Sequence, residues 1–336
     1  MAGFTWRSSR CASVLLVVAC GGHATQTTVK QSPRPGWSAR VALAIDVRAQ
    51  EPLDDFPVPI RITPDRIDPK RYAVDGHDLR FTDASGVDLP FEIESISATR
   101  GAVVWLRVPH FDGVGPTRMT MYFDNPKAPY LAGSESRTVW RAGFAGVFHC
   151  IEDGVDSSPV EDATAVTGTN PAEGVFGAAF YFGTKKLDAV TATIPKLAGD
   201  ATLCAWVRTA GVDGSARIAG APGFAIDRER GGLRCNQTLA ANALAVDAWR
   251  YACCVHHAGM DTVFVDGVPA SKPSRSTGAT ATAFEVGGAH GDPPAKRFAG
   301  AIDEVRISSV ARDPAWLAAE STSRTDAVSF GAIENL

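Results

Sequence analysis

Apolar residues recur at every second position of this chain, in short runs closed off by turn residues. Val41, Leu43, Ile45 and Val47 alternate with Ala42, Ala44, Asp46 and Arg48. Val104, Leu106 and Val108 alternate with Val103, Trp105 and Arg107, and Trp249, Tyr251, Cys253 and Val255 with Arg250, Ala252, Cys254 and His256. A period of two belongs to strands, because successive side chains leave opposite faces of a pleated backbone. The 32 Gly and 21 Pro provide the many turns that short strands need. A helical pattern is expected only at Asp313-Pro314, where Asp serves as an N-cap and Pro suits the first helical position. The fold class is therefore all-β. Its length of 336 residues suggests two β-sandwich domains, since each sheet must bury one face against another.

Residues 37–127 are expected to form the first sandwich from about seven strands. Pro59 lacks a ladder donor, so its strand belongs at an edge or a bulge. Asp78 and Asp83, with His77, read as turn chemistry in which Asp caps local backbone donors. Glu92 and Glu94 share a parity with each other, an arrangement open to a glycosidase, but the reading adopted is a solvated outer face. A short linker, 126–137, leads to a second unit over 138–334. There Asp266-Gly267 follows Val263-Phe264-Val265 and signals a tight hairpin, both positions tolerating positive φ.

The N-terminus reads as an export signal. Arg7 and Arg10 precede an apolar stretch, Cys11 to Ala19, too short for an ordinary membrane span. Val17-Val18-Ala19-Cys20 resembles the bacterial lipobox. That resemblance implies a lipoprotein signal peptide over 1–19 and a lipid on Cys20. The absence of Asp after Cys20 implies the outer membrane of the bacterial cell envelope. Acyl chains contribute about 0.8 kcal/mol per buried methylene, so several chains anchor stably. Residues 20–36 are polar, Thr-rich and Pro-interrupted, and are expected to form a flexible tether.

Two further resemblances rest on longer motifs. Trp37, Asp54-Asp55-Phe56-Pro57-Val58, Gly76-His77-Asp78-Leu79-Arg80-Phe81, Val104-Trp105-Leu106-Arg107-Val108-Pro109 and Met121-Tyr122-Phe123-Asp124-Asn125 occur in that order. Together they resemble a bacterial domain of unknown function that precedes laminin-G-like domains in surface proteins. Asp124 stands where that family usually has Gly, and Asp accepts a left-handed turn. Downstream, Thr202-Leu203-Cys204-Ala205-Trp206-Val207, Trp249, Val263-Phe264-Val265-Asp266-Gly267, Phe298 to Ile307 and Ala311 to Trp316 resemble a laminin-G-like, concanavalin A-type jellyroll. The resemblance implies carbohydrate or protein binding, often with calcium. In that fold the first and last strands lie together, so Asp156 and Asp303 are candidate calcium ligands. The competing reading has Asp303 accepting backbone donors to lock the terminal strand.

Seven cysteines are present, and five follow Cys20: Cys150, Cys204, Cys235, Cys253 and Cys254. An exported protein forms disulfides, and an odd number leaves a thiol unpaired. Cys253 and Cys254 are adjacent and should leave opposite faces of one strand. One bridge within 204–254 is expected, with partners left open, and burial as small apolar residues is the alternative. Spacings for structural zinc, the nucleophile elbow and the phosphate loop are absent. Asp303 and Glu304 are adjacent, so they too should face opposite sides. His256-His257 reads as an exposed strand end. A net charge of −4 advertises no polybasic nucleic-acid surface, and no nucleic-acid partner is expected. The expectation is a lipid-anchored envelope protein, non-enzymatic, whose jellyroll binds a glycan or an envelope protein. The alternatives are an assembly component of an envelope complex and a polysaccharide-active hydrolase or lyase.

Overall fold

A computed structural model describes residues 34–336, apart from 48, 50, 131–134, 152–153, 161–163, 168, 184–188, 279–281, 289–295 and 325–326. The signal region 1–19, Cys20 and most of the 20–36 tether lie outside the described residues. The first module contributes β1 (Ala39–Ile45), β2 (Leu53–Ile62), β3 (Arg80–Asp83), β4 (Phe91–Ser97), β5 (Gly101–Phe111) and β6 (Thr117–Phe123). A short helix α1 (Glu135–Val139) leads to the second module. It holds β7 (Phe144–Phe148), β8 (Thr164–Thr167), β9 (Asn170–Glu173), β10 (Ala178–Phe182), β11 (Ala189–Thr193) and β12 (Ala201–Thr209). Then come β13 (Ser215–Ala221), β14 (Phe224–Glu229), β15 (Gly232–Cys235), β16 (Thr238–Ala240), β17 (Trp249–His257) and β18 (Met260–Val265). β19 (Val268–Pro269), β20 (Ser274–Arg275), β21 (Ala283–Val286), β22 (Gly300–Ser308), α2 (Pro314–Thr322) and β23 (Val328–Asn335) complete the chain.

Among the described residues the strands form four sheets. A four-stranded sheet runs β23-β1-β6-β3 and a three-stranded sheet runs β2-β5-β4. A nine-stranded sheet has the path β19-β18-β17-β12-β22-β10-β9, and a seven-stranded sheet runs β16-β15-β14-β13-β21-β11-β8. The last two enclose the jellyroll core, which includes Leu203, Val207, Ile218, Phe224, Phe284, Ile302 and Val305. A second core spans the four-stranded sheet, the three-stranded sheet and the outer side of the nine-stranded sheet. Val41, Phe81, Phe56, Trp105, Trp206, Tyr251, Phe264 and Leu317 all belong to it. The arrangement is a four-layer stack in which the three-stranded sheet is covered on both sides. That is why both parities of β5 are buried from Gly101 to Leu106.

The local sequence signals account for the edges and turns. β2 is an edge strand, where no second neighbour requires the donors that Pro57 and Pro59 lack. Asp124 has φ 68° and makes the left-handed turn after β6. Asp266 and Gly267 have φ 49° and 79° between β18 and β19, as the hairpin signal requires. A Cβ on Gly267 would lie 2.5 Å from the Ala318 Cα, so this turn also needs Gly for the close approach of α2. Asp313 caps α2 by accepting from the Trp316 amide at 2.7 Å.

The C-terminus departs from the sequence-based division at 127 and 138–334. β23 pairs antiparallel with β1, from Ala39 opposite Asn335 to Ile45 opposite Val328. The seventh strand of the first module thus comes from the far end of the chain. The described residues, from 34 onward, form one compact unit by contact.

Candidate functional site

Three places bear on function: the covered outer face of the nine-stranded sheet, the cysteine network, and the outer face of the seven-stranded sheet.

At the first, the two modules meet through a layer of buried charge. β4 shifts register between Ile93 and Ser95, which gives Glu94 the extra position of a bulge. β22 shifts likewise: Arg306 lies opposite Cys204 and Asp303 opposite Trp206, leaving two residues against Ala205. Glu304 takes φ 50° in that bulge. Bulges re-aim side chains, and these two aim carboxylates at each other across the interface. Glu92 and Glu94 therefore do not form a solvated face, contrary to the sequence reading. Trp140 Nε1 and Ser157 Oγ donate to Glu92, and Trp105 Nε1 donates to Glu94 Oε2 at 2.8 Å. Asp303 and Glu304 also fail to alternate. Ile302, Val305 and Ile307 point into the jellyroll core, and Asp303 and Glu304 both serve the opposite side.

His149, just beyond β7, sits between the modules. Its Nδ1 lies 2.7 Å from Glu304 Oε1 and 3.9 Å from Glu94 Oε2, and its Nε2 lies 3.4 Å from Glu92 Oε2. Arg306 donates to Glu304 Oε2 at 2.7 Å and to Glu320 Oε1 at 3.0 Å, with its guanidinium over Trp105 and Trp140. The Tyr251 hydroxyl donates to Glu320 Oε2 at 2.6 Å. Burial alone would push His149 down, but Glu304 and Glu92 outweigh it and hold the imidazole well above its ordinary pKa. Burial also opposes ionisation of Glu304, and His149 and Arg306 overcome it. Glu94 has no such surplus, so burial and the Glu304 charge push it up to about 8. Burial with Glu304 and Glu94 nearby likewise raises Asp303.

Sequence reasoning missed His149, Arg306 and Glu320. His149 follows the apolar run Phe144–Phe148 directly, and that run was the available signal. Asp303 accepts the Val175 amide at 2.7 Å, in the manner of a strand lock. Asp156 accepts the Val147 and Ser158 amides, both at 2.8 Å. Among the described residues, no convergent set of three possible metal-ligand atoms includes Asp156 or Asp303.

Among the described residues the cysteines resolve into two bridges, Cys204–Cys253 and Cys235–Cys254, with Cys150 free and buried. Cys253 and Cys254 do face opposite ways. Cys204 and Cys253 are cross-strand partners on the side covered by the first module. Cys254 points inward and ties β17 to β15 of the other sheet. Both faces of β17 are covered, so neither sulfur is exposed. His256 is not part of an exposed strand end: it is 4% exposed and its Nδ1 lies 2.6 Å from Asp261, whereas His257 is exposed and pairs with Asp200.

The outer face of the seven-stranded sheet is polar. One cross-strand row reads Leu239, Arg234, Asp227 and Arg217. The next reads Ala165, Thr191, Glu285, Gly220 and Ala225. Arg217 pairs with Asp227, and Arg234 with Glu229 at 3.0 Å. Ala165 and Thr191 are exposed at one end of the second row, and Gly220 and Ala225 are buried at the other.

No curated protein sequence matches the chain. Among solved structures it is similar in shape to the binding domain of Paraclostridial Mosquitocidal Protein 1, at 12% identity and TM-score 0.44, over 54% of this chain and 52% of that one. It is similar to the botulinum neurotoxin serotype D binding domain at 9% identity and TM-score 0.44, over 55% and 52%. A third is domain 4 of AbnA, a GH43 extracellular arabinanase from Geobacillus stearothermophilus, in complex with arabinotriose, at 16% identity and TM-score 0.39, over 52% and 96%. The chain thus spans about half the length of the first two. Family models are more specific: residues 75–156 match the domain of unknown function DUF2341, and residues 183–318 match the Concanavalin A-like lectin/glucanases superfamily. Residues 75–156 are thus a DUF2341 domain, followed over 183–318 by a concanavalin A-like domain of the laminin G type.

Proposed function

We propose that this chain is a lipid-anchored envelope protein that binds a glycan through the outer face of its seven-stranded sheet. The observation that carries the reading is the asymmetry of the jellyroll. The first module covers the outer side of the nine-stranded sheet with a shared apolar core. The seven-stranded sheet keeps a broad polar face with paired Arg and carboxylate groups, suited to the vicinal hydroxyls of sugars. Converging acids do exist, but the side chains of Glu94, Glu304 and His149 are 0%, 1% and 2% exposed. A polysaccharide does not reach them, which favours binding over hydrolysis or elimination.

The anchor rests on the lipobox resemblance at Cys20. Cys20→Ser is expected to move the protein from the membrane fraction to the soluble fraction, and unchanged processing and attachment would refute the anchor. The soluble chain from residue 21 is expected to bind envelope polysaccharides on a glycan array. Arg217→Ala with Arg234→Ala is expected to weaken that binding about tenfold, roughly 1.4 kcal/mol. Tight co-purification of one envelope protein without sugar binding supports the assembly role instead. Polysaccharide turnover overturns the non-catalytic reading.

A further inference from the structure

We propose that Glu94, His149 and Glu304 form a divalent metal site of the zinc or manganese class that clasps the two modules together. The three residues come from β4, the segment after β7, and β22, so one ion would join the first module to the jellyroll. Their ligand atoms all lie within 4.8 Å of one another and are buried. Donors bound to a common ion at about 2.0–2.2 Å stand no more than about 4.4 Å apart. The 2.7 and 3.9 Å separations from His149 Nδ1 to Glu304 and Glu94 already satisfy that limit.

A separate feature points the same way. Glu94 Oε1 is buried without a hydrogen-bond partner, at a residue 6% exposed. Buried polar oxygens ordinarily find a donor or a cation. The donor set selects the ion, because an imidazole with carboxylates suits zinc or manganese, whereas calcium takes oxygen ligands. Neighbours are arranged as metal ligands require. Trp105 Nε1 orients Glu94, and Arg306 occupies Glu304 Oε2, leaving Oε1 toward His149. The other convergent set among the described residues, Cys235, Cys254 and Asp261, has its sulfurs joined in a disulfide.

A sealed site takes its ion during folding and releases it slowly, so the test uses refolding. The chain from residue 21 is unfolded in guanidinium with disulfides intact and refolded with chelator, zinc alone or manganese alone. Metal content is measured by mass spectrometry and stability by thermal melting. The expected result is about one tightly held zinc or manganese per chain and a higher Tm than in chelator. Glu94→Gln and His149→Asn are each expected to drop the content below about a tenth of an ion per chain and to abolish the Tm gain. If neither variant folds, the stoichiometry and Tm gain of the unmodified chain decide alone. No retained metal and no Tm change in the unmodified chain overturns the site, as does one ion per chain that persists in both folded variants.

Discussion

At the residue scale, the interface is governed by where its carboxylates find compensation. Glu94 is held at about 8 in the metal-free protein by burial and by Glu304, with His149, Glu92 and Trp105 facing it. The unfolded chain titrates Glu94 near 4.5. The stability tied to this residue is therefore fully present below 4.5 and is lost as pH rises through about 8. His149, also raised, acts in the same direction at higher pH, whereas Glu92 and Glu304 are lowered and lose their contribution as pH falls. In chelator, Glu94→Gln is expected to flatten the decline between pH 4.5 and 8, read from denaturant midpoints across a pH series. Parallel curves for the two proteins would contradict the assignment. Gly177 offers a steric test of the same spot. A Cβ there would lie 2.4 Å from Glu94 Oε1. Gly177→Ala is expected to destabilise the protein by about 1–3 kcal/mol in urea unfolding, and a neutral effect would contradict this packing.

At the element scale, what the sequence made legible was set by local chemistry. Period-two runs located β1, β5 and β17, the jellyroll motifs located β12 and β22, the Asp266-Gly267 pair located a hairpin, and Asp313-Pro314 located α2. Bulges left no such trace. The register shifts at Glu94 and in β22 reverse the parity on which the solvated reading of Glu92 and Glu94, and the opposed reading of Asp303 and Glu304, depended. The cysteine parity was legible, but the pairing was not, because it depends on which sheet packs over β17. The inter-sheet bridge Cys235–Cys254 closes a 19-residue separation. Replacing both cysteines by Ala is expected to cost about 2–4 kcal/mol in chemical denaturation, and an unchanged midpoint would contradict a structural role.

At the scale of the whole molecule, the two expected sandwiches share a core. The pairing of β23 with β1 joins positions about three hundred residues apart, and no local pattern in residues 328–335 announces it. His149, Arg306 and Glu320 were equally invisible as partners of Glu92 and Glu94, since their meeting is set by the packing of one module on the other. The structure thus sets the first module over the outer side of the nine-stranded sheet, with the seven-stranded sheet on the other side of the jellyroll core. Differential scanning calorimetry of the soluble chain from residue 21 tests this most directly. A single heat-absorption peak, with calorimetric and van't Hoff enthalpies equal, is predicted because β23 and the charged layer make the modules unfold together. Two separable peaks, or unfolding of one module while the other keeps its native signal, would contradict it.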